Sequence, residues 1–270
     1  TPLHLSDLSE ELLTRFLVAY RQSVPRQVSP ATINSKRRAI LTLWRAAAKR
    51  YPSLCRPPID ADVPKAREAK HIPQAWTVSE VELLVAHARR LSGSVSGIPR
   101  RSYYSSLFLA VWDTGCRIGA LLSARSLDLS IADRYLLIRA ENQKHAADQL
   151  FWLSDTTIAA IASHYDAARD LIWPWKQSEM WFFRTARKII EGAGLRPPKS
   201  GGQLFHRLRR SNLSYCAAVD LELARRQAGH YSSRLTQTSY VDPRIARQRS
   251  AVDVLPKLNL PDEDEQMRLF

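Results

Sequence analysis

Hydrophobic residues recur at helical spacing through the first fifty residues of the chain. Leu8, Leu12, Phe16 and Tyr20 lie four positions apart, which places them along one face of a helix. A second helix is predicted to begin at Ser29-Pro30, because serine caps a helix N-terminus and proline suits the first helical turn. Residues 1–58 therefore predict a small, entirely helical domain.

The second predicted helix separates apolar from basic side chains. The residues that share its apolar face are Ile33, Ile40, Leu41, Trp44, Ala47 and Ala48. The charged residues on its remaining surface are Lys36, Arg37, Arg38, Arg45, Lys49 and Arg50. A charged helix face is often only solvated, but here every charge is positive. That single sign favours contact with a phosphate backbone.

Residues 59–74 lack an apolar period and are rich in proline. The stretch from Arg56 to Gln74 contains four prolines, and the basic residues interleaved with them are Lys65, Arg67 and Lys70. Proline stiffens an extended chain. We therefore predict a linker between two domains, with basic side chains that follow DNA.

A second domain is predicted over residues 75–255. A capping box from Thr77 to Glu80 opens its first helix, and a later helix is expected to end at Gly115. The β-type runs that predict a hairpin are Tyr135–Ile138 and Gln149–Leu153, around a polar turn at 141–148. Further helices are expected at about 155–172, 178–191 and 203–219. The predicted fold class is therefore mainly α with a small antiparallel β-sheet, an α+β domain behind a helical one.

The charge of the chain narrows the class of partner. Its 270 residues carry 40 Lys and Arg against 26 Asp and Glu, a formal net charge of +14 with a pI near 10.1. Such an excess favours nucleic acid, most simply double-stranded DNA, over an anionic membrane. No apolar run approaches the ~18 residues of a membrane span, and no signal peptide opens the sequence. We expect a cytoplasmic protein whose residues 256–270 form an acidic tail. The sequence starts at Thr1 and not at a methionine, which leaves open whether the natural N-terminus is included.

The three cysteines do not point to a disulfide or a metal site. Cys55, Cys116 and Cys216 are odd in number, far apart and without CxxC spacing. We expect core thiols, and neither a metal nor a cofactor.

The region from His206 to Tyr240 concentrates groups that handle phosphate. It contains two histidines, several arginines and a tyrosine. Cleaving a phosphodiester without a metal needs a nucleophile, cations that hold the charge on the non-bridging oxygens, and an acid that protonates the departing oxygen. Arginine suits the second role because its planar guanidinium binds phosphate bidentately.

Four short motifs occur in the order found in one enzyme family. They are Asp113–Gly119 around Arg117, His206–Arg210, Gly229-His230, and Tyr240 after a threonine-containing segment. Each motif alone is common, but the ordered set resembles the tyrosine recombinase (phage integrase) family. The resemblance covers most of the chain. It implies a helical core-binding (SAM-like) DNA-binding domain, a catalytic domain, and a C-shaped clamp around DNA.

The resemblance also implies roles for individual residues. Arg117 and Arg209 would clamp the scissile phosphate, His206 would assist proton transfer at the tyrosine, and His230 would hydrogen-bond the phosphate. Lys144, the only lysine between Lys70 and Lys176, falls in the predicted hairpin turn and is the candidate general acid. The residues expected to contact DNA elsewhere are Lys36, Arg37, Arg38, Arg45, Lys65, Arg67, Lys70, Arg207 and Arg210.

Tyr240 is preferred as the nucleophile over two other tyrosines. Tyr231 directly follows His230, too close in sequence to reach the same phosphate, and Tyr215 lies on an apolar helix face. The sequence departs from the family pattern at Ala120, where an acidic residue is usual. The interval from His230 to Tyr240 is also one residue longer than is common.

By resemblance, the reaction is attack of Tyr240 on DNA to give a 3′-phosphotyrosyl enzyme, without metal or ATP. Recombination implies a homotetramer on DNA, residues 241–260 docked on a neighbouring protomer, and accessory DNA-bending proteins. Two other functions stay open: a type IB topoisomerase-like enzyme, and a DNA-binding protein without catalysis. Metal-dependent hydrolysis by His206 and His230 is disfavoured, since no carboxylate lies near them in sequence.

Overall fold

The structure, a computed structural model, describes residues 4–22, 28–69, 71–198 and 203–246. The chain divides into two compact units, Thr1–His71 and Ile72–Phe270. In the described ranges the α-helices are α1 (Glu10–Gln22), α2 (Pro30–Arg50), α3 (Val78–Ala88), α4 (Arg100–Thr114), α5 (Ile118–Leu122), α6 (Asp155–Ala162), α7 (Glu179–Gly192), α8 (Leu204–Val219), α9 (Leu221–Ala228) and α10 (Ser233–Tyr240). The strands are β1 (Ser94–Val95), β2 (Ile98–Pro99), β3 (Leu129–Ser130), β4 (Tyr135–Ile138) and β5 (Gln149–Trp152).

The first unit is built on the packing of α1 against α2. Its buried apolar cluster consists of Leu13, Leu17, Ile33, Leu41, Trp44, Ala48, Cys55 and Val63. The face predicted for α2 is thus largely the one that is buried. In α1 the deepest row is Leu13 and Leu17, whereas Phe16 is 45% exposed. The two rows are adjacent and equally apolar, so spacing alone could not choose between them.

Much of the segment predicted to be a linker packs against α2. Arg37 is buried, and its Nε and Nη2 donate to Val63 O at 2.7 Å and Asp60 O at 2.6 Å. Asn34 exchanges two hydrogen bonds of 2.9 Å with the backbone of Ala66. The segment up to Ala66 therefore belongs to the first unit. Arg37 holds this segment in place, so its guanidinium is not on the expected DNA-binding surface.

A buried carboxylate ties the start of α1 to the chain beyond α2. Glu10 Oε2 lies 2.5 Å from Arg56 Nη2, and Glu10 Oε1 accepts from Ile59 N at 2.8 Å. The Arg56 hydrogen bond, followed by the Ile59 N–H, lowers the pKa of Glu10 to about 2. Glu10 is therefore ionised at neutral pH although it is buried.

The second unit is organised around α4, which is buried on several faces. Tyr103, Leu107 and Val111 are fully buried in the core, and α4 packs against α3, α6 and α8. Phe205 of α8 stacks on Phe108 of α4, with ring centroids 5.8 Å apart. The start of α8 is therefore fixed on the central helix.

The second unit contains the predicted hairpin within a three-stranded antiparallel sheet of order β3-β4-β5. Tyr135 pairs with Trp152, and Ile138 pairs with Gln149. This confirms the small antiparallel sheet. The strand β3 and the separate two-stranded β1–β2 hairpin were not predicted, because strands of two residues carry no alternation. The described residues contain no helix long and apolar enough to span a membrane.

The helices after the sheet differ from the prediction in length and number. α6 ends at Ala162, not near 172, because Leu171 forms an isolated antiparallel bridge with Arg125. The short α9 and α10 were also not predicted. Both are polar helices of eight residues, with too few turns to show a clear apolar period.

Two distant parts of the second unit are joined by Asp242, which lies just after α10 and is fully buried. Its Oδ2 accepts from Ala75 N at 2.9 Å and lies 2.5 Å from Arg244 Nη2. Its backbone N donates to Ser214 Oγ at 2.8 Å. Asp242 thus fastens the chain beyond α10 to α8 and to the segment preceding α3. The acidic tail predicted at 256–270 lies outside the described residues.

Candidate active site

Arg209 of α8 is the most deeply buried of the predicted site residues, at 2% exposure. Its Nη1 donates to Gly115 O, just beyond α4, and its Nη2 donates to Ala228 O at the end of α9, at 2.9 Å. Both carbonyls lie at helix C-termini, where the helix dipole favours a cation. These bonds offset part of the cost of burying the guanidinium and fix its plane. Arg209 Nε remains a buried N–H with no acceptor among the described residues.

Arg117 reaches the same region from the other side of Gly115. Gly115 ends α4 with φ of +60°, and a Cβ there would lie 2.4 Å from Asn212 Oδ1, so both the backbone and the space require glycine. Arg117 then caps α5 with its backbone. Burial, followed by the charges of Arg209 and of other groups that include Arg117, lowers the pKa of His206 and of His230. In the described part of the chain its side chain has no hydrogen-bond acceptor.

The end of α4 is held by two amide side chains that the sequence did not reveal. Asn212 Nδ2 donates to Trp112 O at 2.6 Å and to Asp113 O at 3.2 Å. Gln227 Nε2 donates to Asp113 O at 2.8 Å and to Thr114 O at 2.9 Å. Together with Arg209, they occupy the last carbonyls of α4 and set the point from which Arg117 extends.

His230 is buried and immediately follows α9. Its Nδ1 lies 3.0 Å from Thr236 Oγ1, and its Nε2 lies 3.4 Å from Arg209 Nη2. Arginine can only donate, so Nε2 accepts and the proton lies on Nδ1, which donates to Thr236. Burial, followed by the charges of Arg209, Arg117 and His145, lowers the pKa of His230 to about 4. The imidazole is therefore neutral at pH 7.

Tyr240, the last residue of α10, places its ring within this cluster. The ring centroid lies 4.9 Å from that of His230, 6.5 Å from that of His206, and 5.1 Å from Arg209 Cζ. His206 is half-buried on α8, and burial, together with neighbouring arginines, lowers its pKa. The structure therefore brings together Arg117, His206, Arg209, His230 and Tyr240.

The two other candidate tyrosines are elsewhere. Tyr231 is 91% exposed, next to His230 in sequence but outside its cluster of ring contacts. Tyr215 accepts a hydrogen bond from Val78 N at 3.1 Å and packs edge-on against Trp112. Neither ring stacks on a predicted site residue in the described structure.

The hairpin turn between β4 and β5 contains the expected Lys144 and also His145, which was not predicted. Lys144 lies in this turn, as predicted, but its side chain is exposed. The adjacent His145 packs against Gly229: a Cβ built on Gly229 would lie 2.4 Å from His145 Cε1. His145 was missed because only a lysine was sought in the turn. Its titratable side chain beside Lys144 was the available signal.

Some of the other residues proposed to contact DNA have exposed side chains, and others make contacts within the protein. The exposed ones in the described chain are Lys36, Arg38, Arg45, Lys65 and Arg67. Of these, Arg45 pairs with Asp60. Arg207 is half-buried, donates to Arg196 O at 2.9 Å and lies over the Trp76 ring. Arg210 is half-buried, and burial lowers the pKa of its guanidinium. Lys70 lies outside the described residues.

Two further points from the sequence concern the surroundings of the site, namely metal binding and the residue Ala120. Within the described ranges, no group of three His, Cys, Asp or Glu side chains could hold a metal ion. Ala120, which stands where the family pattern often has an acid, is buried in the apolar core. The carbonyl contacts of Arg209 supply anchoring without a carboxylate.

No family model and no curated protein sequence matches the chain. Solved structures are similar to it despite low identity. XerH site-specific recombinase bound to its palindromic difH substrate has a TM-score of 0.69 at 20% identity, covering 93% of this chain and 69% of that one. A lambda integrase dimer bound to a COC′ core site has a TM-score of 0.63 at 16% identity, covering 97% and 87%.

A third similar structure is the Tn1549 transposon integrase in complex with circular intermediate DNA. Its TM-score is 0.62 at 11% identity, covering 94% of this chain and 85% of that one. Identities this low support a statement about architecture, and all three neighbours are recombinases or integrases. The chain therefore has the fold of the tyrosine recombinases.

Proposed function

We propose that this protein is a site-specific DNA recombinase that cleaves and rejoins strands through a covalent 3′-phosphotyrosyl intermediate. The observation that carries the proposal is the convergence of five side chains, one of which is Tyr240. They come from the end of α4, from α8, from the segment after α9, and from α10. A fold shared with DNA-bound recombinases, together with a net charge of +14, supports DNA as the substrate.

The arginines of the site suit a phosphate that arrives from outside. Arg209 Nε and Arg210 Nε are buried N–H groups without an acceptor among the described residues. A buried donor without an acceptor is costly, which points to a ligand that supplies one. Arg117, free of side-chain hydrogen bonds within the described structure, would complete the clamp. A phosphodiester would satisfy all three arginines.

The proposed reaction is an in-line transesterification. Tyr240 Oη attacks the phosphorus, the bond to the 5′ oxygen breaks, and the 3′-phosphate becomes esterified to the tyrosine. Arg117 and Arg209 stabilise the charge on the non-bridging oxygens, and His206 assists removal of the tyrosine proton. A side chain of the hairpin turn, Lys144 by resemblance, protonates the 5′ oxygen. The reverse attack by a 5′-hydroxyl of a partner strand rejoins DNA without ATP.

The arriving phosphate would also change the histidines. Both His206 and His230 have pKa values lowered by burial and by neighbouring arginines. A negative charge beside His230 would oppose that effect and favour its protonation, whereas His206 has to stay neutral to accept the tyrosine proton. His230, which accepts from Arg209 through Nε2 in the DNA-free protein, would then donate from that nitrogen to the phosphate.

Assembly extends the proposal beyond one protomer. Recombination between two DNA sites would use a homotetramer, with accessory proteins that bend the DNA. Of the predicted docking segment 241–260, Asp242 is held within its own protomer, so only the part of the segment beyond it would dock on a neighbour. Lys36, Arg38, Lys65, Arg67 and Lys70 would bind the phosphate backbone through the first unit.

Trapping of the covalent intermediate tests the function. A preferred DNA site is first selected from a pool of randomised duplexes. A version of that site with a nick near the cleavage position is then used, because cleavage releases the short fragment that carries the 5′-hydroxyl and rejoining is prevented. We expect a protein–DNA adduct with the wild-type chain and none with Tyr240→Phe. Tyr231→Phe, which removes an exposed hydroxyl from the same region, should leave the adduct unchanged.

The outcomes separate the proposal from its alternatives. An adduct that persists in Tyr240→Phe contradicts the nucleophile assignment. Specific DNA binding without any adduct would indicate a protein that uses the fold only to bind DNA. Relaxation of supercoiled plasmids that lack the selected site would indicate a topoisomerase-like enzyme.

A further inference from the structure

His145 lies beside the proposed active site, and the proposed mechanism assigns it no role. Its ring lies against Gly229: Cε1, Nε2 and Nδ1 are 2.4, 2.8 and 2.9 Å from the position of a Cβ built there. Gly229 has φ of +64° and leads directly into His230. A side chain at position 229 would therefore displace the imidazole. The missing Cβ leaves the space in which His145 reaches the cluster.

The hairpin turn is fixed at its base, so the position of His145 follows from the fold. Gln149, the first residue of β5, donates through Nε2 to Arg226 O at 2.9 Å and Gln227 O at 3.2 Å. Asp148 Oδ1 accepts from Ala140 N across the turn at 2.7 Å. The turn is thus docked on the C-terminal end of α9. In sequence, His145 lies between Lys144 and the residues that make these contacts, Asp148 and Gln149.

The groups around His145 are predominantly cationic. Burial, followed by the charges of Arg117 and Arg209, lowers its pKa, and His145 in turn lowers the pKa of His230. The charged groups of the turn itself are Glu141, Lys144 and Asp148, and Arg226 stands on the neighbouring end of α9. His145 Nδ1 is buried without a hydrogen-bond partner in the described structure. A buried ring nitrogen without a partner, beside arginines, is a polar atom that an acidic ligand could satisfy.

We propose that His145 is a further catalytic residue, which contacts the scissile phosphate and becomes protonated when DNA binds. This inference rests on the proposed function. In the free protein burial, followed by the charges of Arg117 and Arg209, lowers the pKa of His145 and so disfavours its protonation. The phosphate diester brings a negative charge among Arg117, Arg209 and His230, which favours uptake of one proton from solvent. The imidazolium then donates to a non-bridging oxygen, beside the two arginines.

The expected pH dependence follows from that protonation. Because the DNA-bound His145 is active as the cation, its contribution is present at pH values below its pKa in the complex. It is lost as pH rises through that value. Removing it should therefore lower the cleavage rate most in the lower part of the working pH range and much less at alkaline pH.

Single-turnover cleavage of the nicked substrate, measured across neutral and alkaline pH, tests the role. We expect His145→Ala to slow cleavage by about 10²-fold at the lower pH values, as for loss of one positioned donor. His145→Gln, which keeps a donor that does not titrate, should recover part of the rate without this pH dependence. Lys144→Ala is the matched control from the same turn, and it should retain the pH dependence whatever its rate.

Three results would decide against His145. One is a pH profile of His145→Ala that superimposes on the wild type, and another is disappearance of the pH dependence in Lys144→Ala. The third is an equal slowing at every pH, which would indicate a structural role. Failure of the proposed function is distinguishable, because the wild-type chain would then form no covalent adduct at any pH.

Discussion

Two arginines at one site are held in opposite ways. Arg209 donates to Gly115 O and Ala228 O, so its guanidinium is oriented before any ligand arrives. Arg117 has no such restraint within the described chain. A pre-oriented donor costs no reorganisation during the reaction, whereas a free one is ordered only on binding. The two residues should therefore respond differently to the same substitution.

Substitution by lysine keeps the charge and removes the planar fork, so we compare Arg209→Lys with Arg117→Lys. Each should raise the barrier to cleavage by about 3 kcal/mol, because lysine cannot bind phosphate bidentately. Only Arg209→Lys should also destabilise the fold, by about 2 kcal/mol, since it gives up hydrogen bonds from a charged donor to two buried carbonyls.

The measurements are adduct formation on a nicked duplex and thermal unfolding without DNA. Arg101→Lys, an exposed arginine at the start of α4, is the control and should change neither. Equal thermal stability of Arg209→Lys and the wild type would contradict the anchoring role assigned to the carbonyl contacts.

At the residue scale, the order of the motifs was sufficient to predict which side chains lie together and insufficient to predict the residues that hold them in place. The motifs predicted Arg117, His206, Arg209, His230 and Tyr240, which the structure brings together. Support by Asn212 and Gln227 depends on where backbone carbonyls end in space, and no local pattern encodes that. Burial of Arg37 was hidden for the same reason: its partners lie on a segment that looked like an open linker.

Among the elements, α4 is the one whose end decides the geometry of the site. Three side chains from α8 and α9 occupy its last carbonyls, so a helix terminus that would ordinarily fray is held by tertiary contacts. The position of Arg117 therefore depends on helices that lie almost a hundred residues further along the chain.

Removing one of these amides should loosen that terminus. Asn212→Ala leaves Trp112 O without its side-chain partner, and we expect a loss of about 1–3 kcal/mol in unfolding free energy. Gln227→Ala should act similarly at Thr114 O. We also expect slower adduct formation in both, because Arg117 loses its fixed origin.

Chemical denaturation and single-turnover cleavage measure the two effects. Gln177→Ala, which truncates an exposed amide far along the chain from the motifs, serves as the control. Full cleavage rates in a destabilised Asn212→Ala protein would show that the end of α4 does not position Arg117.

Predictability also varied among the elements. The long helices and the hairpin were predicted because each is long enough for its apolar spacing to repeat over several helical turns or several cross-strand residue pairs. The hairpin's register was also constrained by the alternation that buries Leu136, Ile138 and Phe151. Short polar helices such as α9 and α10 owe their existence to packing against α8, which propensity does not record.

For the whole molecule, the excess of positive charge sets how binding should depend on salt. Neutralising DNA phosphates releases counterions, so the logarithm of the binding constant should fall linearly with the logarithm of salt concentration. Arg38→Ala, at an exposed site of α2, should lower that slope by about 1 if its guanidinium contacts a phosphate.

Arg37→Ala provides the matched comparison, one residue away on the same helix. Because Arg37 donates to Val63 O and Asp60 O, its loss should lower the stability of the first unit and leave the salt slope unchanged. Binding isotherms at several salt concentrations, with thermal unfolding of each variant, check both. A reduced slope in Arg37→Ala alone would reverse these assignments.

Asp242 connects the end of the described chain to Ala75, at the beginning of the second unit. During synthesis on a ribosome, Ala75 emerges long before its partner. The cluster around Tyr240 needs α8, α9 and α10 as well, so a nascent chain that ends before α10 has neither Tyr240 nor the contact between Asp242 and Ala75. Long-range contacts of this kind form late and slow folding. Under the proposed function, a nascent chain that has not yet produced α10 would therefore be unable to cleave DNA.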